Sequence, residues 1–196
     1  MKISPIFAPH LYAIVYPKDY DTVWNEDICP FFEDDEIGQI DEYERYFDLW
    51  SNPLFLENFF DNNKDYLLLP YWKKMNISIE EVAKRTNDKA QVFEKELIEN
   101  QTNIESLFRP LDDRTLNFNE LSKGKSKKDW LRFYAIKLEN NKFLITGGAI
   151  KLTHKMEDHQ TTRDELIKLE KIKNFLTEHG VIDGDSFNDA LYEMTI

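Results

Sequence analysis

The chain has 196 residues, 41% of them apolar, enough to bury a core and to exclude a wholly disordered polypeptide. The formal net charge of −12 excludes a uniformly basic nucleic-acid coat, and a single cysteine, Cys29, excludes a disulfide framework and a cysteine-rich zinc site. No apolar run approaches the roughly 18 residues of a membrane span. The first eleven residues lack the apolar segment of a secretory signal, so a cytoplasmic protein without a membrane partner is expected.

Leu11-Tyr12-Ala13-Ile14-Val15-Tyr16 is rich in strand formers and bounded by Pro9 and Pro17, which predicts a short buried strand. Residues 17–40 are acidic and irregular and read as a long loop. Residues 41–108 read as helices. Asp41 caps the first, which turns Tyr43, Tyr46, Phe47 and Trp50 inward. Pro53 opens a second, carrying Phe55, Leu56, Phe59 and Phe60. Ser78-Ile79-Glu80-Glu81 is a capping-box pattern, followed by Val82, Thr86, Ala90, Phe93 and Leu97 at steps of three and four. A break near Asn87 is compatible with that pattern. Asn103 to Phe108 reads as a short helix ended by Pro110.

After Pro110 the period changes. Thr115 to Leu121 alternates, Trp130 to Leu138 is a strong strand pattern, and Lys142 to Thr146 follows the Asn140-Asn141 turn. These predict an antiparallel meander. Gly147-Gly148 ends it and permits close approach of a neighbouring group; it lacks the spacing of a phosphate-binding loop. Thr162-Arg163-Asp164-Glu165 is a second capping box, opening a helix with Leu166, Leu169, Ile172, Phe175 and Leu176 inward and Gly180 at its end. Residues 185–196 form a short helix or a tail. The expected class is α+β: a small antiparallel sheet with helices.

Charge is distributed unevenly. Residues 1–108 hold 10 basic and 22 acidic side chains, residues 109–155 hold 11 and 5, and residues 156–196 hold 4 and 10. A basic island therefore lies between acidic flanks. Its densest part, Lys123, Lys125, Lys127 and Lys128, is either a solvated loop or a phosphate-facing patch. On the following strand, alternation puts Arg132 and Tyr134 on one face, with Leu131, Phe133 and Ala135 on the other. That face is expected to hold a cation and a phenol side by side.

Trp130-Leu131-Arg132-Phe133-Tyr134-Ala135-Ile136 and Phe143-Leu144-Ile145-Thr146-Gly147-Gly148-Ala149-Ile150-Lys151 resemble the central strands of the RelE/HigB-like toxin superfamily of bacterial type II toxin–antitoxin pairs. Lys151, His154 and Lys155 sit where that family carries a basic cluster after the strand, and the helix from Thr162 matches its terminal helix. The resemblance implies a single elaborated RelE-like domain over 1–196: a first strand at 11–16, an enlarged helical section at 41–108, and the basic meander and terminal helix at 114–179. It also implies messenger-RNA cleavage at the ribosome by attack of a 2′-hydroxyl on the adjacent phosphodiester, with no metal or other cofactor and with a cognate antitoxin, RNA and the ribosome as partners. By that analogy Arg132 and Lys151 stabilise the phosphorane, and His154 or a lysine of lowered pKa is acid or base. Tyr134 joins the catalytic set, and Lys123, Lys125, Lys127, Lys128 and Lys155 contact the RNA backbone. A non-catalytic binding module and a ParE-type gyrase-directed toxin are the alternatives on the same fold.

Overall fold

The computed structural model describes residues 1–20, 23–111, 121–139 and 141–194. Its architecture is α+β, with a six-stranded mixed sheet covered by helices on both faces. The strands are β1 (Lys2–Phe7), β2 (Leu11–Val15), β3 (Phe108–Pro110), β4 (Ser122–Lys128), β5 (Leu131–Glu139) and β6 (Lys142–Ile150), in the spatial order β1-β2-β6-β5-β4-β3. The pair β2–β6 is parallel and every other pair antiparallel. Every residue of β2 and of β6 is buried, as expected for inner strands covered on both faces.

The helices are α1 (Glu42–Ser51), α2 (Pro53–Asn62), α3 (Pro70–Met75), α4 (Ile79–Glu99), α5 (Gln160–Glu178) and α6 (Gly184–Met194). One core layer joins Leu131, Phe133, Ala135 and Ile145 to α1, α2 and α4; Phe133 sits among Tyr43, Tyr46, Phe47, Trp50 and Phe93. The other joins Tyr134, Ile136, Leu138 and Leu144 to Leu169, Ile172 and Leu176 of α5 and Phe187 of α6.

Local chemistry explains the helix starts. Asp41 accepts from the Tyr43 and Glu44 amides, Asn52 accepts from Leu54 and Phe55 ahead of Pro53, and Ser78 accepts from Glu81. The capping box at Ser78 is only half used, because the Glu81 carboxylate turns to Arg85 instead. All five residues of the α4 stripe are buried, and α4 runs unbroken past Asn87, whose side chain donates to the Ser51 carbonyl.

Several expectations are corrected. The sheet is larger than a first strand plus three, because β1 forms a hairpin with β2 and β3 adds an edge. Of the strand expected at 115–121, residues 115–120 lie outside the described residues; the strand that pairs with β5 is the lysine run itself, β4. In it Gly124 and Ser126 turn inward and are buried, while Lys123, Lys125 and Lys127 alternate with them. The helix expected from Asn103 is a single 3-10 turn, Ile104–Leu107. Thr162 does not cap α5. The helix begins earlier, and the Thr162 hydroxyl instead bonds the Met156 and His159 carbonyls.

Candidate functional site

The register of the meander carries the basic island to one end of the sheet. Arg132 lies opposite Ala149 of β6 and opposite Lys127 of β4, and Lys125 lies opposite Tyr134. Lys151 follows directly after β6, with its amide bonded to the Trp130 carbonyl at 2.7 Å. Arg132, Lys151 and His154 thereby line one open hollow of about 710 Å³, to which Tyr66, Leu69, Pro70 and Tyr71 also contribute. Asp129 and Asp158 also border it, and Asp129 is engaged at 2.9 Å by Lys89.

These cations share a field. Burial, followed by the charges of Arg132, Lys125 and Lys127, holds the Lys151 ammonium below the ordinary lysine value, with Glu157 acting the other way. Burial likewise lowers Arg132, opposed by Tyr134, Tyr71 and Asp129. One Arg132 nitrogen donates to the Asp129 carbonyl at 2.5 Å and to the Leu131 carbonyl at 2.7 Å, which pins the side chain. Among the described residues, Arg132, Lys125, Lys127 and Lys151 make no ion pair with a carboxylate. Uncompensated cations in a concavity attract anions.

The other candidates are placed elsewhere. Lys128 points to the opposite face and pairs with Glu96 of α4 at 2.5 Å. Lys123 pairs with Glu170 of α5 at 3.0 Å. Lys155 is exposed and does not line the hollow. Tyr134 shares the Arg132 face, but the face changes character along the strand. Arg132 stands at its open end, whereas Tyr134 lies under α5, fully buried. Its hydroxyl has no hydrogen-bond partner among the described residues, and burial, then Glu165, drives its pKa up. The expected pairing of cation and phenol on an open face is therefore corrected.

A second polar group was not anticipated. The pairing of β2 with β6 ends at Ala13 and Ile145, and beyond it α1 meets α5. There Glu42, Arg45, Glu165 and Lys168 form a buried ion cluster. Arg45 bonds Glu42 at 2.6 Å, Lys168 bonds Glu42 at 3.1 Å and Glu165 at 2.7 Å, and the Tyr46 hydroxyl donates to Glu165 at 2.9 Å. Burial alone pushes Glu42 up, but Arg45 and Lys168 outweigh it and hold it below the usual range. Glu165 stays above that range, chiefly by burial. Gly147 explains its own identity here: a Cβ would stand 1.9 Å from a Glu165 oxygen and 2.5 Å from Lys168 Nζ. The sequence signal is that Glu165 and Lys168 each lie four residues before an inward residue of α5, Leu169 and Ile172.

The wall of the hollow was also missed. It comes from the run Tyr66 to Tyr71, whose apolar composition without helical period hid its role. Among the described residues, no three His, Cys, Asp or Glu side chains are grouped to hold a metal ion, and no helix is long and apolar enough to cross a membrane. Compared with protein-family models, with curated proteins and with solved structures, the chain matches none.

Proposed function

We propose that the chain is a RelE/HigB-like toxin: an endoribonuclease that cuts messenger RNA, inhibits translation and is neutralised by a cognate antitoxin. The observation that carries the proposal is the convergence of Arg132 and Lys151, neither in an ion pair with a carboxylate among the described residues, on the same hollow as His154. Further support is the placement of Lys125 and Lys127 beside them on β4.

The reaction assigned to the hollow is transesterification. The 2′-oxygen attacks the adjacent phosphorus, the P–O5′ bond breaks, and the products are a 2′,3′-cyclic phosphate and a 5′-hydroxyl. Arg132 and Lys151 face the extra negative charge of the phosphorane, where fixed cations lower the barrier most. A proton leaves the 2′-hydroxyl and another reaches the 5′-oxygen. His154, which lines the same hollow, serves one of these transfers. The depressed ammonium of Lys151 makes it a better proton donor than an ordinary lysine. Lys125 and Lys127 bind flanking phosphates. Tyr134, Lys128 and Lys123 carry no step in this scheme. The route uses only side chains and needs no metal.

Expression of the chain in a bacterial host, with RNA end-mapping, tests this. The expected result is growth arrest with new 2′,3′-cyclic ends, both lost in Arg132→Ala and Lys151→Ala variants that keep the wild-type melting temperature. Arrest without RNA cleavage moves the target to another macromolecule such as gyrase. RNA binding without cleavage leaves a non-catalytic module.

A further inference from the structure

Within the long helical section, α3 carries an aromatic side chain that the core does not use. Helix α3 is fastened to the sheet by Trp72, which is buried, donates from Nε1 to the Leu152 carbonyl at 2.8 Å and packs on Trp130 at 5.0 Å. Those two contacts flank the residues that matter: Leu152 adjoins Lys151, and Trp130 precedes the Arg132 strand. The next side chain, Tyr71, is 59% exposed, stands edge-on to Trp72 at 5.4 Å, and lines the hollow together with Leu69 and Pro70. Tyr71 thus presents an exposed ring on the border of the same hollow that Arg132 and Lys151 line, with Leu69 exposed beside it.

We propose that Tyr71 is a base platform: an unpaired RNA base stacks on its ring while the attached phosphate lies on Arg132 and Lys151. This deepens the RNA-binding role proposed above and rests on it. The chemistry is complementary on both counts. Cations on one side satisfy the phosphate, and a π-face on the other accepts any base without hydrogen-bond readout. The wall is supplied by Leu69, Pro70 and Tyr71, so it selects by stacking area and favours a purine over a pyrimidine. It also excludes duplex RNA, whose bases are already stacked. The helical section thus contributes to the site instead of merely enlarging the core.

The test is fluorescence anisotropy with three probes: short single-stranded oligoadenylate, oligouridylate of equal length, and inorganic polyphosphate as a competitor that has charge but no base. Tyr71→Ala is expected to weaken oligoadenylate binding at least about fivefold and oligouridylate less, with polyphosphate competition unchanged. Tyr71→Phe is expected to restore wild-type affinity, because the ring and not the hydroxyl does the stacking. Unchanged oligoadenylate affinity in Tyr71→Ala, while Arg132→Ala weakens it, overturns the platform and leaves the phosphate site standing. Equal loss of RNA and polyphosphate in Tyr71→Ala also overturns it, since the residue then acts only by shaping the cation site. If Arg132→Ala and Lys151→Ala weaken neither probe, the phosphate site falls and the platform with it.

Discussion

Two groups of charged side chains lie within the same fold and are finished in opposite ways. In the cluster between α1 and α5, Glu42, Arg45, Glu165 and Lys168 are each buried, and two cations meet two carboxylates. At the end of β5 and β6, Arg132 and Lys151 are only partly covered and, among the described residues, form no ion pair with a carboxylate. The comparison teaches where to look for function. A closed network of opposite charges holds structure together, and a cation set left open to solvent is available for a ligand.

Substitutions should separate the two groups sharply. Lys168→Ala leaves Glu42 and Glu165 buried with one cation between them and should cost about 3–5 kcal/mol. Thermal melts should show a fall of roughly 10 °C. An unchanged melting temperature would show that the cluster is hydrated and not structural. Gly147→Ala drives a methyl group against Glu165 and Lys168 and should cost about 1–3 kcal/mol by urea denaturation. Gly124→Ala is its control, because the nearest atom to a Cβ there is an ordinary 3.6 Å away. Equal effects at the two glycines would remove the steric account.

At the open group the signs reverse. Arg132→Ala should leave stability within about 0.5 kcal/mol while weakening RNA binding about tenfold. The smallest effect is a pH dependence at Lys151. Its folded pKa is below the ordinary 10.5, so between the two values the unfolded chain binds more protons and stability rises with pH. Below both values the penalty of the buried charge is fully present. Lys151→Met should therefore be more stable than wild type at neutral pH, with an advantage that shrinks as pH climbs toward 10.5. An advantage independent of pH would mean the gain comes from packing.

Legibility in the sequence followed the range of the interaction. Helices α1, α2 and α4 were read correctly because their signals are local: Asp41, Pro53 and Ser78 at the starts and an apolar stripe behind the last. Strand β5 and the faces of Arg132 and Phe133 followed from alternation. Strand β4 was obscured because its inward positions are Gly124 and Ser126, small residues that give no apolar signal. The parallel pairing of β2 with β6 and the cover of Tyr134 by α5 depend on contacts more than a hundred residues and several tens of residues apart, which no window registers. The site was half legible for the same reason. Arg132, Lys151 and His154 lie close in the chain, but the Tyr71 wall comes from a distant segment, docked through Trp72 and Tyr66.

The most direct measurement is the salt dependence of single-stranded RNA binding, wild type against the Arg132→Ala/Lys151→Ala double variant. Each phosphate contact contributes about 0.7 to the slope of log affinity against log salt, so the double variant should be shallower by about 1.4. An identical slope in the two proteins would contradict the assignment of the hollow to an RNA phosphate.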